Sequence, residues 1–215
     1  MVKKMIVYSI PECGTIVISQ IIALLINPYC NINDKDSLYK TVPYITNTKD
    51  ANLPFYSTNP LYINHKLIRN APHIVIYMIR DPIDRIISKF FIKFYNDKSL
   101  FKKYKISKNI NKIMFDWCNS RINISSNKIL KHAKNQKKHI KSILINYNNL
   151  DENKEKYIRI IARLLQININ DEIINNIINK INIKKYERYE KYFTPKQIKL
   201  LKKKIPNELK KMYIL

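Results

Sequence analysis

The chain has 215 residues and carries 40 Lys and Arg against 16 Asp and Glu, a net charge of +24. Its length predicts one domain, or two very small ones, with a core that needs neither disulfides nor metal. An apolar content of 46% excludes a disordered chain, and the single glycine excludes collagen-like and glycine-rich architectures. We predict a single domain over residues 1–215.

The positive charge has two compatible explanations. Isoleucine, lysine and asparagine number 41, 33 and 26, and all three are encoded by A/T-rich codons. A genome of that composition enriches the surface in lysine without any functional cause. A strong positive charge is also expected of a protein whose partner is a polyanion, such as a nucleotide, a nucleic acid or a sulfated glycan.

The cysteines and the N-terminal apolar stretch indicate the compartment. The three cysteines are an odd number, form no C-x-x-C pair and show no metal-ligand spacing with the four histidines. This pattern favours a reduced, cytoplasmic protein without metal. Pro11 and Glu12 interrupt the N-terminal apolar stretch, and residues 16–26 fall short of the roughly 20 needed to span a bilayer. We therefore expect no export signal and no membrane span.

Strands and helices alternate along the chain. Apolar, β-rich runs predict three buried strands at Met5–Ile10, His73–Ile79 and Ser142–Asn146. The second run is apolar at six of its seven positions, which is typical of a central parallel strand buried on both faces. Residues 27–60 contain four prolines and are predicted to be an irregular excursion.

Helical periodicity fills most of the remaining sequence. Helices are predicted at 16–26, from 82, at 107–122, 125–138, 151–166 and 170–181, from 195, and after 206. Helices that alternate with strands predict an α/β fold built on a mostly parallel sheet.

The first loop of chemical interest separates the first strand from the first helix. It contains Gly14, the only glycine in the chain. A glycine here is explained by a positive φ or by a ligand that approaches the backbone closely. The start of the helix offers free N–H groups to an anion, and Thr15 adds a hydroxyl donor. A plain tight turn explains the glycine equally well, and the loop lacks the G-x-x-x-x-G-K-[ST] pattern of a Walker A motif.

The second loop reads R-D-P-I-D-R-I-I-S over residues 80–88. Arg80 follows the predicted strand 73–79, and open α/β sheets bind ligands at the carboxyl ends of their strands. Its guanidinium suits a phosphate, and Ser88 can donate from the helix that begins here. An ordinary capped helix with an i,i+4 ion pair is the alternative.

Together the two loops resemble the donor-binding motifs of sulfotransferases that use 3′-phosphoadenosine 5′-phosphosulfate. In that family P-K-x-G-T-T grips the 5′-phosphosulfate, and the Arg and Ser of R-D-P-x-x-x-x-x-S grip the 3′-phosphate. The resemblance implies a three-layer αβα, P-loop-like fold, adenosine 3′,5′-bisphosphate as product and no metal. His132 and Gln136 match an H-x-x-x-Q stretch of the glycan-modifying branch, so the implied acceptor is a hydroxyl, with a glycan as one candidate.

The resemblance also assigns site residues. The implied cofactor-binding residues are Glu12, Cys13, Gly14, Thr15, Ile16, Arg80, Ser88, Tyr147, Lys184 and Lys185. Tyr147 opens a Y-N-N-L segment that resembles the family's Y-E-x-L. Lys184 and Lys185 stand near the place of the family's basic R-K-G triplet. The sequence departs from the pattern at Glu12, where the family has lysine, and at Ile16, where it has threonine.

The catalytic base is the least determined part of the site. His65 is the first candidate, because it lies between the variable region and the central strand, where some family members place a catalytic histidine. Glu12 is the second, since other branches use a carboxylate base, and Lys66 is a candidate replacement for the missing loop cation. A carboxylate that faces a phosphosulfate repels it. The sequence therefore predicts donor binding and leaves turnover open.

Three alternatives belong to other classes. One is a catalytically impaired protein of the same fold that binds a nucleotide or a sulfated glycan. Another is a nucleic-acid-binding protein, which the lysine-rich tail after residue 198 favours and the lack of any helix-turn-helix, zinc-finger or RNP motif disfavours. A nucleotide kinase is disfavoured because the Walker lysine is missing.

Overall fold

The computed structural model of the protein describes residues 5–43, 55–58, 74–96, 110–136, 142–181 and 189–212. Its contacts divide the chain into two compact units. The first unit comprises Met1–Ile79 and His132–Ile183, and the second comprises Arg80–Lys131 and Lys184–Leu215. The single domain expected over the whole chain stays a prediction.

A four-stranded parallel sheet forms the centre of the first unit. Its strands are β1 (Met5–Ser9), β2 (Phe55–Thr58), β3 (Ile74–Ile79) and β4 (Ser142–Asn146), in the order β2-β1-β3-β4. Every residue of β1 and β3 is buried, as the uninterrupted apolar runs predict for central parallel strands. The predicted sheet and the three strands predicted from the sequence are confirmed. The fourth strand, β2, lies in the segment 27–60 that was expected to be irregular.

The helices follow in chain order. They are α1 (Thr15–Ile26), α2 (Lys35–Thr41), α3 (Pro82–Asn96), α4 (Ile110–Gln136), α5 (Tyr147–Leu150), α6 (Lys154–Leu165), α7 (Asp171–Lys180), a 3₁₀ turn (Tyr189–Lys191), α8 (Pro195–Lys203) and α9 (Asn207–Lys211). Two of the predictions need correction. The helices expected at 107–122 and 125–138 are one continuous helix, α4, because no glycine or proline interrupts it. The excursion contains α2, which Asp34 caps by accepting from the N–H of Ser37 at 3.0 Å.

Helices lie on both faces of the sheet. On one face, Tyr8 and Tyr77 pack edge to face with ring centroids 5.4 Å apart. His132, near the end of α4, lies 5.2 Å and 4.9 Å from these rings, and its Nε2 lies 3.0 Å from the Tyr8 carbonyl oxygen, to which it donates. Ser9, the next residue of β1, points to the opposite face, where its hydroxyl meets that of Thr15 in α1. The α/β fold with helices on both sides of the sheet is confirmed.

The H-x-x-x-Q stretch has a structural task in the first unit. While His132 binds the backbone of β1, Gln136 donates from Nε2 to the Ser142 hydroxyl at 2.8 Å. The Ser142 hydroxyl in turn donates to the Gln136 carbonyl oxygen at 2.9 Å. These bonds fasten the end of α4 to β1 and to the start of β4.

Aromatic packing holds the second unit together. Phe90 of α3 lies with its ring centroid 5.9 Å from that of Trp117 in α4, and Phe115 lies 5.9 Å from Phe193. The buried Arg85 donates from Nη1 to the Ser125 hydroxyl at 2.9 Å. Within the described ranges, no helix is both long enough and apolar enough to cross a membrane.

Candidate functional site

The loop after β1 has an unusual backbone. It contains the left-handed residues Glu12, at φ +65°, and Gly14, at φ +91°. A residue with a side chain pays about 1–2 kcal/mol for that conformation, so Glu12 is held there by its surroundings. The loop turns the chain from a buried strand directly into α1, for which Gly14 is the N-cap residue.

Tyr147 explains the second constraint on this glycine. A Cβ built on Gly14 would lie 2.6 Å from Cε2 of Tyr147 and closer still to Cδ2, so the position has no room for a side chain. The positive φ that the sequence offered as one explanation of Gly14 is present, and a group other than a ligand lies close to its backbone. That group belongs to the protein itself, and it is the tyrosine that the Y-N-N-L segment assigned to the site.

The first turn of α1 presents hydrogen-bond donors. Because Gly14 has no side chain, the N-cap residue contributes no oxygen to the N–H groups that open the helix. The helix dipole adds partial positive charge at the same end. Thr15, half-buried, carries its hydroxyl in this turn, paired with the hydroxyl of Ser9. The arrangement suits an anion.

The other predicted loop residues differ in what they expose. Cys13 is fully buried, so its side chain is not exposed to a ligand. Ile16 leaves 51% of its surface exposed, an apolar group in the turn where the family has threonine. Glu12 is half-buried and brings the only carboxylate of the loop.

The loop after β3 is organised by side chains. Asp81 caps α3, since its Oδ1 accepts from the N–H groups of Ile83 at 2.7 Å and Asp84 at 3.2 Å. Arg80, the residue that follows β3, is buried. Ser88 is buried as well and lies on α3, one helical turn after Asp84. The Asp81 carboxylate thus accepts from the first N–H groups of α3, whereas the first N–H groups of α1 receive no side-chain cap from Gly14.

Two acidic side chains lie close together in this loop. Burial and, second, the charge of Asp84 raise the pKa of Asp81 to about 7, against the opposing effect of the two N–H donors and of Lys202. Asp84 accepts through Oδ1 from the Tyr189 N–H at 3.2 Å. The i,i+3 spacing was visible in the sequence, yet only the structure reveals that Asp84 is buried and that Asp81 is partly buried beside it.

The sheet register decides which predicted residues come together. Ser9 pairs with Met78 and Ile79 with Asn146, so β1, β3 and β4 end at one edge. In the first unit, Gly14, Thr15 and Tyr147 assemble beside that edge. Sequence reasoning missed Ser9, the partner of the Thr15 hydroxyl, whose only signal was a polar residue at the end of an apolar strand.

Several predicted residues lie outside the described part of the chain. These are His65 and Lys66, the candidates for base and replacement cation, and Lys184 and Lys185, the candidates near the basic triplet. Their assignments stay predictions. Arg80 and Ser88 belong to the second unit.

The fold is found in solved sulfotransferase structures. A mouse sulfotransferase, SULT7A1, complexed with PAP is 15% identical, covers 97% of this chain and 88% of its own, and has a TM-score of 0.61. A retinol dehydratase in complex with androsterone and inactive cofactor PAP is 13% identical, covers 94% of this chain and 79% of its own, and has a TM-score of 0.54. At these identities the likeness establishes the fold.

The sequence itself identifies the family. The model of the family described as "Sulfotransferase domain" matches residues 3–211. No curated protein matches the sequence significantly. Because the family model spans nearly the whole chain and the fold agrees with it, the chain belongs to the sulfotransferase domain family.

Proposed function

We propose that this protein binds 3′-phosphoadenosine 5′-phosphosulfate and transfers its sulfuryl group to an acceptor hydroxyl. The observation that carries the proposal is the loop after β1, where the left-handed Gly14 lies under Tyr147 and opens α1 without a side-chain cap. It occurs in a member of the sulfotransferase domain family that also carries R-D-P-x-x-x-x-x-S after β3.

Most of the site residues fit the donor. The N–H groups of residues 13–16 and the Thr15 hydroxyl suit the 5′-phosphosulfate, and the ring of Tyr147 lies against this backbone at Gly14. Arg80 and Ser88 offer charge and a hydroxyl to the 3′-phosphate. Tyr147 contributes a ring beside the loop. Lys184 and Lys185 complete the proposed set.

The chain's tasks in the reaction follow from charge. The donor supplies an already activated sulfuryl group when bound. The loop N–H groups and Thr15 stabilise the negative charge that builds up on the departing phosphate oxygen as the sulfur–oxygen bond breaks. The bond from the acceptor oxygen to sulfur forms as a base takes the hydroxyl proton. We assign this base to His65, with Glu12 as the second candidate, and assign no role to metal.

Glu12 supports a second candidate function. It places a carboxylate where the family has a lysine, and Ile16 places an apolar side chain where the family has a threonine. Both changes weaken the stabilisation of a departing phosphate while leaving the backbone loop intact. On this alternative the protein binds the nucleotide but turns it over slowly or not at all.

Calorimetric titration with adenosine 3′,5′-bisphosphate tests the donor site, with adenosine 5′-phosphate as the control. Micromolar binding that requires the 3′-phosphate is expected. No binding at millimolar nucleotide would contradict both candidate functions. Transfer assays of the wild type and of Glu12→Lys then separate them: an active wild type supports the enzyme, and activity gained only by Glu12→Lys supports the impaired protein.

The acceptor is proposed only as a class. A hydroxyl is required by the chemistry, and a glycan is proposed because R-D-P-I-D-R-I-I-S and H-x-x-x-Q resemble the glycan-modifying branch. Cytoplasmic location is proposed from the cysteine pattern. A transfer assay with hydroxylated glycans and with small phenols and alcohols distinguishes the acceptor classes.

A further inference from the structure

The positive charge is unevenly distributed between the two units. The segments of the second unit contain 24 Lys and Arg against 7 Asp and Glu, a net charge of +17. The longer segments of the first unit contain 16 against 9, a net charge of +7. Codon bias acts along the whole chain, so it does not account for this concentration. A charge of one sign gathered in one region indicates an anionic partner for that region.

A groove in the second unit gathers part of this charge. It has a volume of about 630 Å³ and is lined by Glu190, Phe193, Pro195, Ile198, Lys199, Lys202, Lys203 and Lys210. All lining residues come from one stretch of chain, from the 3₁₀ turn to α9. The groove therefore combines four ammonium groups, one carboxylate and an apolar floor.

The four lysines are not equivalent. Lys202 Nζ lies 5.3 Å from the centroid of the Tyr189 ring, and its charge also acts on Asp81. Lys210 Nζ donates to the Asn207 side-chain oxygen at 3.2 Å. Lys199 and Lys203 are exposed, one helical turn apart on α8, and neither forms an ion pair with any residue that the structure describes. These two ammonium groups are available to a ligand.

The lining favours one class of polyanion. Phe193 is only 4% exposed, so the groove offers no open ring on which a nucleic-acid base could stack. Glu190 repels any anionic group beside it, whether phosphate, sulfate or carboxylate, but it accepts hydrogen bonds from the hydroxyl groups that an oligosaccharide carries between its charges. A ligand that carries both negative charges and many hydroxyls satisfies the ammonium groups and the carboxylate together.

We propose that this groove, the α8–α9 groove, binds an acidic oligosaccharide bearing carboxylate or sulfate groups. The α8–α9 groove uses none of the residues assigned to the nucleotide. The proposal therefore goes beyond sulfuryl transfer and does not depend on it.

The test is the binding of a fluorescent heparin hexasaccharide, followed by anisotropy as a function of salt. The variant Lys199→Gln/Lys203→Gln should bind about tenfold more weakly near 0.1 M salt, with a shallower dependence on salt because fewer counterions are released. The matched control is Lys35→Gln/Lys40→Gln, which removes the same charge from exposed positions of α2 in the first unit. It should bind almost as tightly as the wild type.

Three results would overturn the proposal. An equal loss in both double variants would mean diffuse attraction rather than a groove. Equal or tighter binding of an oligonucleotide with the same number of charges would mean that the occupant is wrong. Unchanged binding of Lys199→Gln/Lys203→Gln would exclude the α8–α9 groove. Thermal unfolding and titration with adenosine 3′,5′-bisphosphate should be unchanged in this variant, so failure here is distinguishable from failure of the donor site.

Discussion

The loops after β1 and β3 precede helices in different ways. The loop after β1 reaches α1 through a glycine, which has no side chain and leaves the first N–H groups without an N-cap oxygen. The loop after β3 reaches α3 through Asp81, whose carboxylate takes two of those N–H groups. An anion at the first loop can therefore be held by backbone, whereas at the second loop we propose that Arg80 and Ser88 hold it.

This difference explains how far each motif can change. A loop that works through its backbone keeps its shape as long as Gly14 and Tyr147 are kept, so residues such as Glu12 and Ile16 can depart from the family pattern. A loop that works through side chains loses its function when those side chains change. The second motif is accordingly the one that retains the family's Arg and Ser at the family's spacing.

The largest effect is expected for Gly14→Ala. The new side chain meets the Tyr147 ring and must adopt a positive φ, which together should lower the free energy of unfolding by at least about 2 kcal/mol. Urea unfolding measures this loss. The double variant Gly14→Ala/Tyr147→Ala relieves the clash but not the strained φ, so it should be more stable than Gly14→Ala/Tyr147→Phe. Equal stability of these two would mean that the ring does not constrain the glycine.

The next effect is expected for Arg80→Ala, which should weaken binding of adenosine 3′,5′-bisphosphate at least tenfold, about 1.4 kcal/mol or more. Binding of adenosine 5′-phosphate should change little, because it lacks the phosphate that Arg80 is proposed to hold. The control Arg163→Ala removes an exposed arginine from α6. Unchanged affinity in Arg80→Ala would remove the second motif from the donor site and leave the first loop alone.

A third prediction concerns Asp81, the N-cap residue of α3, whose carboxylate has no counterpart at the start of α1. Burial raises the pKa of Asp81 to about 7 in the folded protein, well above the roughly 3.9 of an unfolded chain. The unfolded state thus ionises first, and this group makes the protein less stable as the pH rises from about 4 to about 7. Asp81→Asn keeps an N-cap acceptor and should remove that part of the slope. Urea unfolding at pH 5 and pH 8 measures it.

The control for this experiment is Asp116→Asn, at an exposed position of α4. In this variant, the free energy of unfolding should differ between pH 5 and pH 8 by as much as it does in the wild type. If the free energy of unfolding of Asp81→Asn depends on pH as it does in the wild type, Asp81 is ionised throughout this range.

Much of the fold was predictable because its signals are local. The apolar run at 74–79 dictates a central strand, and Thr194 with Gln197 forms a capping box that starts α8 where Thr-Pro predicted it. The strand β2 was not predicted, because four residues between two prolines are too few to show a strand periodicity. The break expected near residue 123 in α4 was wrong because no glycine or proline interrupts the helix there, and the polar Ser125 and Ser126 are buried within it.

The site was predictable to the extent that chain order determines it. Gly14, Arg80 and Ser88 were assigned to the site from their positions after predicted strands, and their role in binding stays a prediction. The contact between Gly14 and Tyr147 spans most of the first unit's chain, and no local pattern encodes a ring that covers a distant glycine. The same holds for the Ser9–Thr15 hydroxyl pair and for the burial that raises the pKa of Asp81.

The smallest effect is expected for Thr15→Val, which tests whether backbone dominates the first loop. The substitution removes one hydroxyl from an anion site whose N–H groups remain, and it leaves the buried Ser9 hydroxyl without that partner. Affinity for adenosine 3′,5′-bisphosphate should fall about fivefold, near 1 kcal/mol, and so by less than in Arg80→Ala. Thr41→Val, at the end of α2, is the matched control and should bind as the wild type does. A loss larger than that of Arg80→Ala would mean that the first loop, like the second, holds its anion by a side chain.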